Sequence, residues 1–171
     1  TITTTGNGAA AGGEVFLHNI AGNAPITLGK AITATGGAGA STGGATVTVL
    51  NESGTLLVNQ VIDVSKGGGT SDGTIQLQAS GDITESASGG LVGEASGKLL
   101  AYSIGGKIQL DTKANNAMAV ATLKTDTVAG TVGTITYKDS TALTIETAGG
   151  SGTLASPSGG NGAATVLAQS G

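Results

Sequence analysis

A chain of 171 residues with a net charge of −4 and a pI near 4.7, whose seven basic residues are all lysines scattered between Lys30 and Lys138, has no basic cluster with which to grip a nucleic-acid backbone. Without cysteine it can build neither a disulfide framework nor a thiolate metal site. Aromatic residues at 2% and charged residues at 11%, beside 32 glycines, exclude a globular core filled by large side chains, while the 38% hydrophobic fraction and weak charge exclude a simple disordered chain.

A narrow β-solenoid reconciles these facts, because its thin interior needs only short aliphatic side chains and its tight corners need glycine. Length argues for a single unit over residues 1–171, and no apolar run approaches the roughly 20 residues that cross a bilayer. With no initiating methionine or signal peptide, the sequence reads as a segment of something longer.

In chain order, Thr1 to Gly13 is a strand remnant at Ile2 followed by a Gly/Ala turn. A first coil starts at Glu14, runs through Val15 and Leu17, breaks at Asn19 to Pro25, and resumes through Ile26 to Ile32. It ends in the corner TGGAGASTGG, which closes at Gly44. A second coil opens with ATVTVLNESG, turns at Asn51 to Gly54, continues from Leu56 to Val64, and loosens into KGGGTSDG at Lys66 to Gly73. Three times a glycine then leads into an alternation of apolar and polar residues: Gly73-Thr74-Ile75-Gln76-Leu77, Gly106-Lys107-Ile108-Gln109-Leu110 and Gly133-Thr134-Ile135-Thr136-Tyr137. Period-2 alternation entered through a turn is the pattern of a half-buried strand. A Gly/Ser-rich loop at Gly149 to Gly162 precedes a last strand at Thr165 to Leu167.

Strand starts at Val15, Val47, Ile75, Ile108, Ile135 and Val166 are separated by 32, 28, 33, 27 and 31 residues. A fixed strand phrase at a wandering interval predicts an all-β fold of about five to six stacked parallel coils whose corners alone vary in length. In this register Ile75, Leu77, Ile108, Leu110 and Ile135 line one interior face. Ile83, Met118, Val120, Leu143 and Ile145 line a second, and Leu99, Leu100, Leu123 and Val61 to Val64 a third. At about 4.8 Å per coil the rod is about 30 Å long, with an unpaired edge at each end that invites another coil.

From Gly89 to Gly149 the phrases become more specific: Ile108 to Thr112, Asn115 and Asn116, Val120 to Leu123, Ala129 and Gly130, and Leu143 to Ile145. Their succession resembles the repeat region of filamentous-haemagglutinin-like exoproteins, the large adhesins secreted by the two-partner route. The resemblance covers roughly the last two thirds of the chain. It implies a right-handed parallel β-helix, displayed at or released from the surface of a Gram-negative-type bacterium. The Asn-Pro-Asn-Gly motif of that family's secretion domain is absent from this sequence, so the resemblance implies shaft rather than secretion module.

Chemistry is sparse. One histidine, His18, follows Leu17 at a strand edge and cannot by itself assemble a metal site or a triad; a solvent-facing or corner position is expected. Asp82 with Glu85, Asp111 and Asp139 are expected just after inward-facing strands, where stacked coils could hold paired acids as in a glycosidase or lyase. Solvated corners and Asx turns are the expected role, and the chain has no arginine to set against an acidic substrate. GGGTSDG and GGSGT have neither the Gly-Lys-Ser/Thr ending nor the helix of a phosphate loop, and no nonapeptide calcium repeat occurs. Asn51-Glu52-Ser53 is formally a glycosylation sequon, and Asn115 with Asn116 suits a turn closed by amide hydrogen bonds. No catalytic, cofactor or metal residue is therefore assigned.

The expected function is a structural shaft segment of a bacterial surface adhesin or extracellular filament, located outside the cell. Its expected partners are a host or neighbouring-cell surface or glycans, met at the variable corners 36–44, 66–73, 86–97 and 149–162. Two alternatives stand beside it: a subunit that polymerises end to end through its open coils, and a β-helical carbohydrate-active enzyme whose four acids converge on one outer face.

Overall fold

The computed structural model describes residues 1–20, 22–39, 43–112, 116–128, 131–146, 153–154 and 164–167. Their regular structure is strand throughout, as expected where brief Val/Ile/Leu alternations are interrupted by Gly, Asn and Ser corners. The first rung holds β1 (Ile2–Thr3), β2 (Val15–Asn19) and β3 (Ile26–Thr27). The second holds β4 (Ile32–Thr33), β5 (Thr46–Asn51) and β6 (Leu56–Val58). The third holds β7 (Val61–Asp63), β8 (Thr74–Ala79) and β9 (Ile83–Glu85), and the fourth β10 (Gly90–Val92), β11 (Lys98–Ser103) and β12 (Ile108–Leu110). Next come β13 (Val120–Thr125), an antiparallel pair β14 (Thr127–Val128) and β15 (Thr131–Val132), and β16 (Thr134–Tyr137). Last are β17 (Leu143–Glu146), β18 (Thr153–Leu154) and β19 (Ala164–Leu167).

Rung upon rung these strands form three parallel sheets. A first face runs β1-β4-β7-β10, a broad face β2-β5-β8-β11-β13-β17-β19, and a third face β3-β6-β9-β12-β16-β18. The protein is thus an all-β parallel solenoid of about five turns, the fold expected from the sequence. Above β10 the first face continues, among the described residues, as a bridge between Val92 and Ala117.

The register differs from the expected one. Along the broad face the stack is Val15, Val47, Ile75, Leu99, Ala121, Ile145 and Val166, at intervals of 32, 28, 24, 22, 24 and 21 residues. Ile108 does not lie over Ile75. It stacks on Ile83 and under Ile135, on the third face. The Gly-x-Ile phrase marks any strand entered from a corner, whichever face it joins. Once the corners after β9 shorten, a step of 33 residues carries the chain one full coil and one corner further. Leu100, Val61 and Val120, expected inside, are the outward members of their strands; Leu100 is 41% exposed.

Packing follows the period of two. Alternate residues of β5, β8, β11 and β13 are buried, so Val47, Val49, Ile75, Leu77, Leu99, Ala101, Ala121 and Leu123 form one wall of the core. Leu56, Ile83, Ile108, Leu110, Ile135 and Tyr137 form the wall of the third face, and Ile32, Ile62 and Leu91 that of the first. Each such aliphatic side chain contributes about 1.5–3 kcal/mol of apolar burial before chain entropy is subtracted. Corners between rungs are equally tight. Gly67 has φ of +60°, and a Cβ there would press into the carbonyl oxygen of Gly36 one rung below. Within the Gly149 to Gly162 loop, Thr153–Leu154 is a strand paired with β16, and the remainder of that loop lies outside the described residues.

Candidate functional site

The polar side chains that sequence patterns single out gather at the corners between faces. Where the broad face turns into the third, the ladder positions Asn19, Asn51, Ala79, Ser103 and Thr125 lie one above another. Asn51 is 0% exposed. Its Nδ2 donates to the carbonyls of Ala24 (3.0 Å) and Thr55 (2.8 Å), and its Oδ1 accepts from Asn19 Nδ2 (2.9 Å). The sequon nitrogen therefore has both protons engaged in closing the corner, which removes it as a glycan acceptor in the folded chain. Ser103 repeats the device two rungs on, donating to Gly81 O (2.8 Å) and accepting from Gly106 N (3.0 Å). Thr125 Oγ1 donates to Gly133 O at 3.2 Å.

Asp82 lies at this same corner, where its Oδ1 accepts from Lys107 N at 2.9 Å. The other three acids cluster at the opposite corner, between the third and first faces. Asn116 organises it: its Nδ2 donates to Leu110 O (3.0 Å) and Lys138 O (3.1 Å) and points at Glu85 Oε2 (3.5 Å), while its Oδ1 accepts from Leu91 N (2.9 Å). This is the turn with amide hydrogen bonds expected for Asn115 and Asn116, though Asn115 lies outside the described residues. Asp139 accepts four bonds, from Met118 N (3.0 Å) and Tyr137 Oη (2.7 Å) on one oxygen and from Thr141 N (2.8 Å) and Thr141 Oγ1 (2.7 Å) on the other. It is a buried turn-former, not a solvated one. Burial, together with the adjacent Asp139 carboxylate, pushes the Tyr137 phenol well above its ordinary range.

Glu85 differs from its neighbours. It is 5% exposed, and among the described residues neither its Oε1 nor the buried Oδ1 of nearby Asp111 has a hydrogen-bond partner. Burial first, and then repulsion from Asp111, raises the Glu85 carboxyl to about 7 against the bond from Asn116. A carboxyl of that affinity could serve as a general acid, but it faces the interior, and no substrate reaches it unless the corner opens. The four acids thus do not converge on an outer face: one sits at one corner, and two of the other three are sealed inside the second. Among the described residues no group of three or more His, Cys, Asp or Glu side chains could hold a metal ion.

His18 is on the outer side of the broad face, 2.8 Å from Glu52 Oε1 and in a tilted contact with Phe16 at 5.5 Å between ring centroids. Sequence reasoning passed over the rest of that surface. Three outward columns climb it, Thr46-Thr74-Lys98-Val120, Phe16-Thr48-Gln76-Leu100-Thr122 and His18-Leu50-Gln78-Tyr102-Lys124. Between the last two runs an open trough of about 310 Å³. Lys124 Nζ lies 4.5 Å from the centre of the Tyr102 ring and 3.3 Å from Asp126 Oδ1, and Tyr102 Oη donates to Asp126 Oδ2. The signal was present in the sequence as Gln, Leu and Tyr at outward positions where neighbouring strands carry Thr.

The class these features define is a parallel β-solenoid with polar, hydrogen-bonded corners. No family profile matches the chain, and no curated protein or solved structure matches it either. Among the described residues no helix is long and apolar enough to cross a membrane.

Proposed function

We propose that this chain is a shaft segment of a bacterial surface adhesin or extracellular filament, whose work is mechanical projection rather than catalysis. The observation that carries this reading is the unbroken ladder of the broad face, seven parallel strands in continuous register from β2 to β19. Bending such a stack strains every inter-rung hydrogen bond on one side at once, which gives a thin rod its stiffness. The filamentous-haemagglutinin-like resemblance of the Gly89 to Gly149 phrases supports an extracellular location, with host or neighbouring-cell surfaces or glycans as partners.

A second reading has its own observation. Beside the outermost rung is a hollow of about 470 Å³ with Ile2, Leu17, Leu28 and Ile32 in its wall, next to the outer edges of β1, β2 and β3. An apolar hollow bordered by strand edges suits one more coil, supplied either by the same chain or, in end-to-end polymerisation, by another subunit. Electron micrographs of the native material, read with the mass of its polypeptide, test both. Thin rods of a very large single chain support the shaft, fibres of a short chain support the subunit, and globular particles overturn both.

A further inference from the structure

We propose that the broad face binds a linear, neutral glycan in the trough between its Phe16-to-Thr122 and His18-to-Lys124 columns. This deepens the glycan partner named above but stands on the geometry of this face alone, whether or not the rod is a shaft. The described residues expose five large apolar side chains, Ile2, Phe16, Ile20, Leu100 and Ile104. Phe16 and Leu100 project from the broad face, and Ile20 and Ile104 directly follow its strands β2 and β11. Two of the five thus stand on one face, Leu100 in the wall of the trough itself, and apolar exposure beside a groove marks a surface that meets something. The trough's wall is mainly apolar with a few polar groups, the make-up of small-ligand sites, and its about 310 Å³ falls at the small end of their range.

Charge selects the occupant. At the trough's borders Lys124 is matched by Asp126, while Lys98, two residues before Leu100, and Glu52, beside His18, are opposite in sign, so no field of one sign selects a phosphate, a sulfate or an acidic peptide. What the trough offers is neutral: Thr48 donates to Gln76 Oε1 at 3.3 Å, which leaves the Gln76 amide nitrogen and the whole Gln78 amide without a partner among the described residues. Side-chain amides that both donate and accept suit hydroxyl groups, and Leu50, Leu100 and Tyr102 suit the C–H faces of sugar rings. A peptide fits less well. The backbone of this face is consumed by its ladders, so a peptide lying across it would leave its own amides largely unpaired. Successive rungs also present these groups about every 4.8 Å, close to the repeat of an extended pyranose polymer.

The test is affinity electrophoresis of the folded chain through native gels containing mixed-linkage β-glucan, galactomannan, arabinoxylan or dextran, with polygalacturonate as the acidic control. The expected result is retardation by at least one neutral polymer. The double variant Gln76→Ala/Gln78→Ala should weaken it by about tenfold or more, whereas Gln109→Ala on the third face leaves it unchanged. Both variants alter outward side chains, and an unchanged melting temperature confirms that they fold. Retardation by none of the neutral gels, by polygalacturonate alone, or to the same extent in the double variant overturns the proposal. Rods in the micrographs would survive any of these results, so the shaft and the glycan site fail separately.

Discussion

Replacing Glu85 with glutamine isolates the most buried of the carboxyls that its corner leaves partly unsatisfied. The native state holds the Glu85 proton with a pKa of about 7, against 4.5 for the free side chain. A raised carboxyl stabilises the fold fully below the unfolded value, and that contribution is lost as pH rises through 7. Two and a half units at 1.36 kcal/mol each come to about 3 kcal/mol, the greatest penalty for carrying the charge at pH 8. E85Q keeps the shape of the protonated acid and cannot ionise. It should match the parent at pH 4.5 and exceed it by up to about 3 kcal/mol at pH 8. Urea unfolding followed by far-ultraviolet circular dichroism at the two pH values measures the difference, and subtracting the two proteins cancels the titrations that are not coupled to Glu85. If parent and E85Q lose stability in parallel between those pH values, Glu85 is not held neutral by its corner and the reasoning is refuted.

Ile108→Asp places a charge between Ile83 and Ile135 at a fully buried site and should cost more than about 4 kcal/mol, whereas Lys107→Ala removes only a surface contact to Gln109 and should stay within about 0.5 kcal/mol; equal melting temperatures would contradict the register. Gly73→Ala drives a methyl into the carbonyl oxygen of Ala45 and should lower stability by about 1–3 kcal/mol in thermal unfolding. Asn51→Ala removes the bonds that close the corner, leaving Ala24 O only its contact with Asn19 Nδ2 and Thr55 O only its bond from Ile26 N, and should cost about 1–3 kcal/mol, while expression in a glycosylating host should add no mass at Asn51 of the folded protein. Asp139→Asn retains shape but sets an NH2 group where one carboxylate oxygen accepts two bonds, and amide exchange at Met118 or Thr141, whichever loses its acceptor, should quicken about tenfold or more.

Much of the fold was legible because a solenoid strand announces itself locally. Val47 and Val49, or Ile75 and Leu77, alternate with polar residues whatever lies above them, and glycines mark the corners that follow. Stacking order was not legible, since Ile75 and Ile108 sit in the same phrase yet join different faces. Which isoleucine covers which depends on how many residues each corner consumes, and corner length leaves no mark in the strand. The candidate sites divide the same way. Asn116 was readable as a turn residue, but nothing in its neighbourhood shows that Leu110, Lys138 and Leu91 converge on it.

What the sequence by itself determined is the class of architecture, because period-2 apolar alternation at intervals near 30 residues, with few aromatics to fill a globule, leaves a thin stacked coil as the way to bury its aliphatics. Only the tertiary structure decided the register, the burial of Glu85 and Asn51, and the trough on the broad face. Each depends on residues more than 20 positions apart meeting one coil above another. Their separation is fixed by summed corner lengths, which no local pattern encodes.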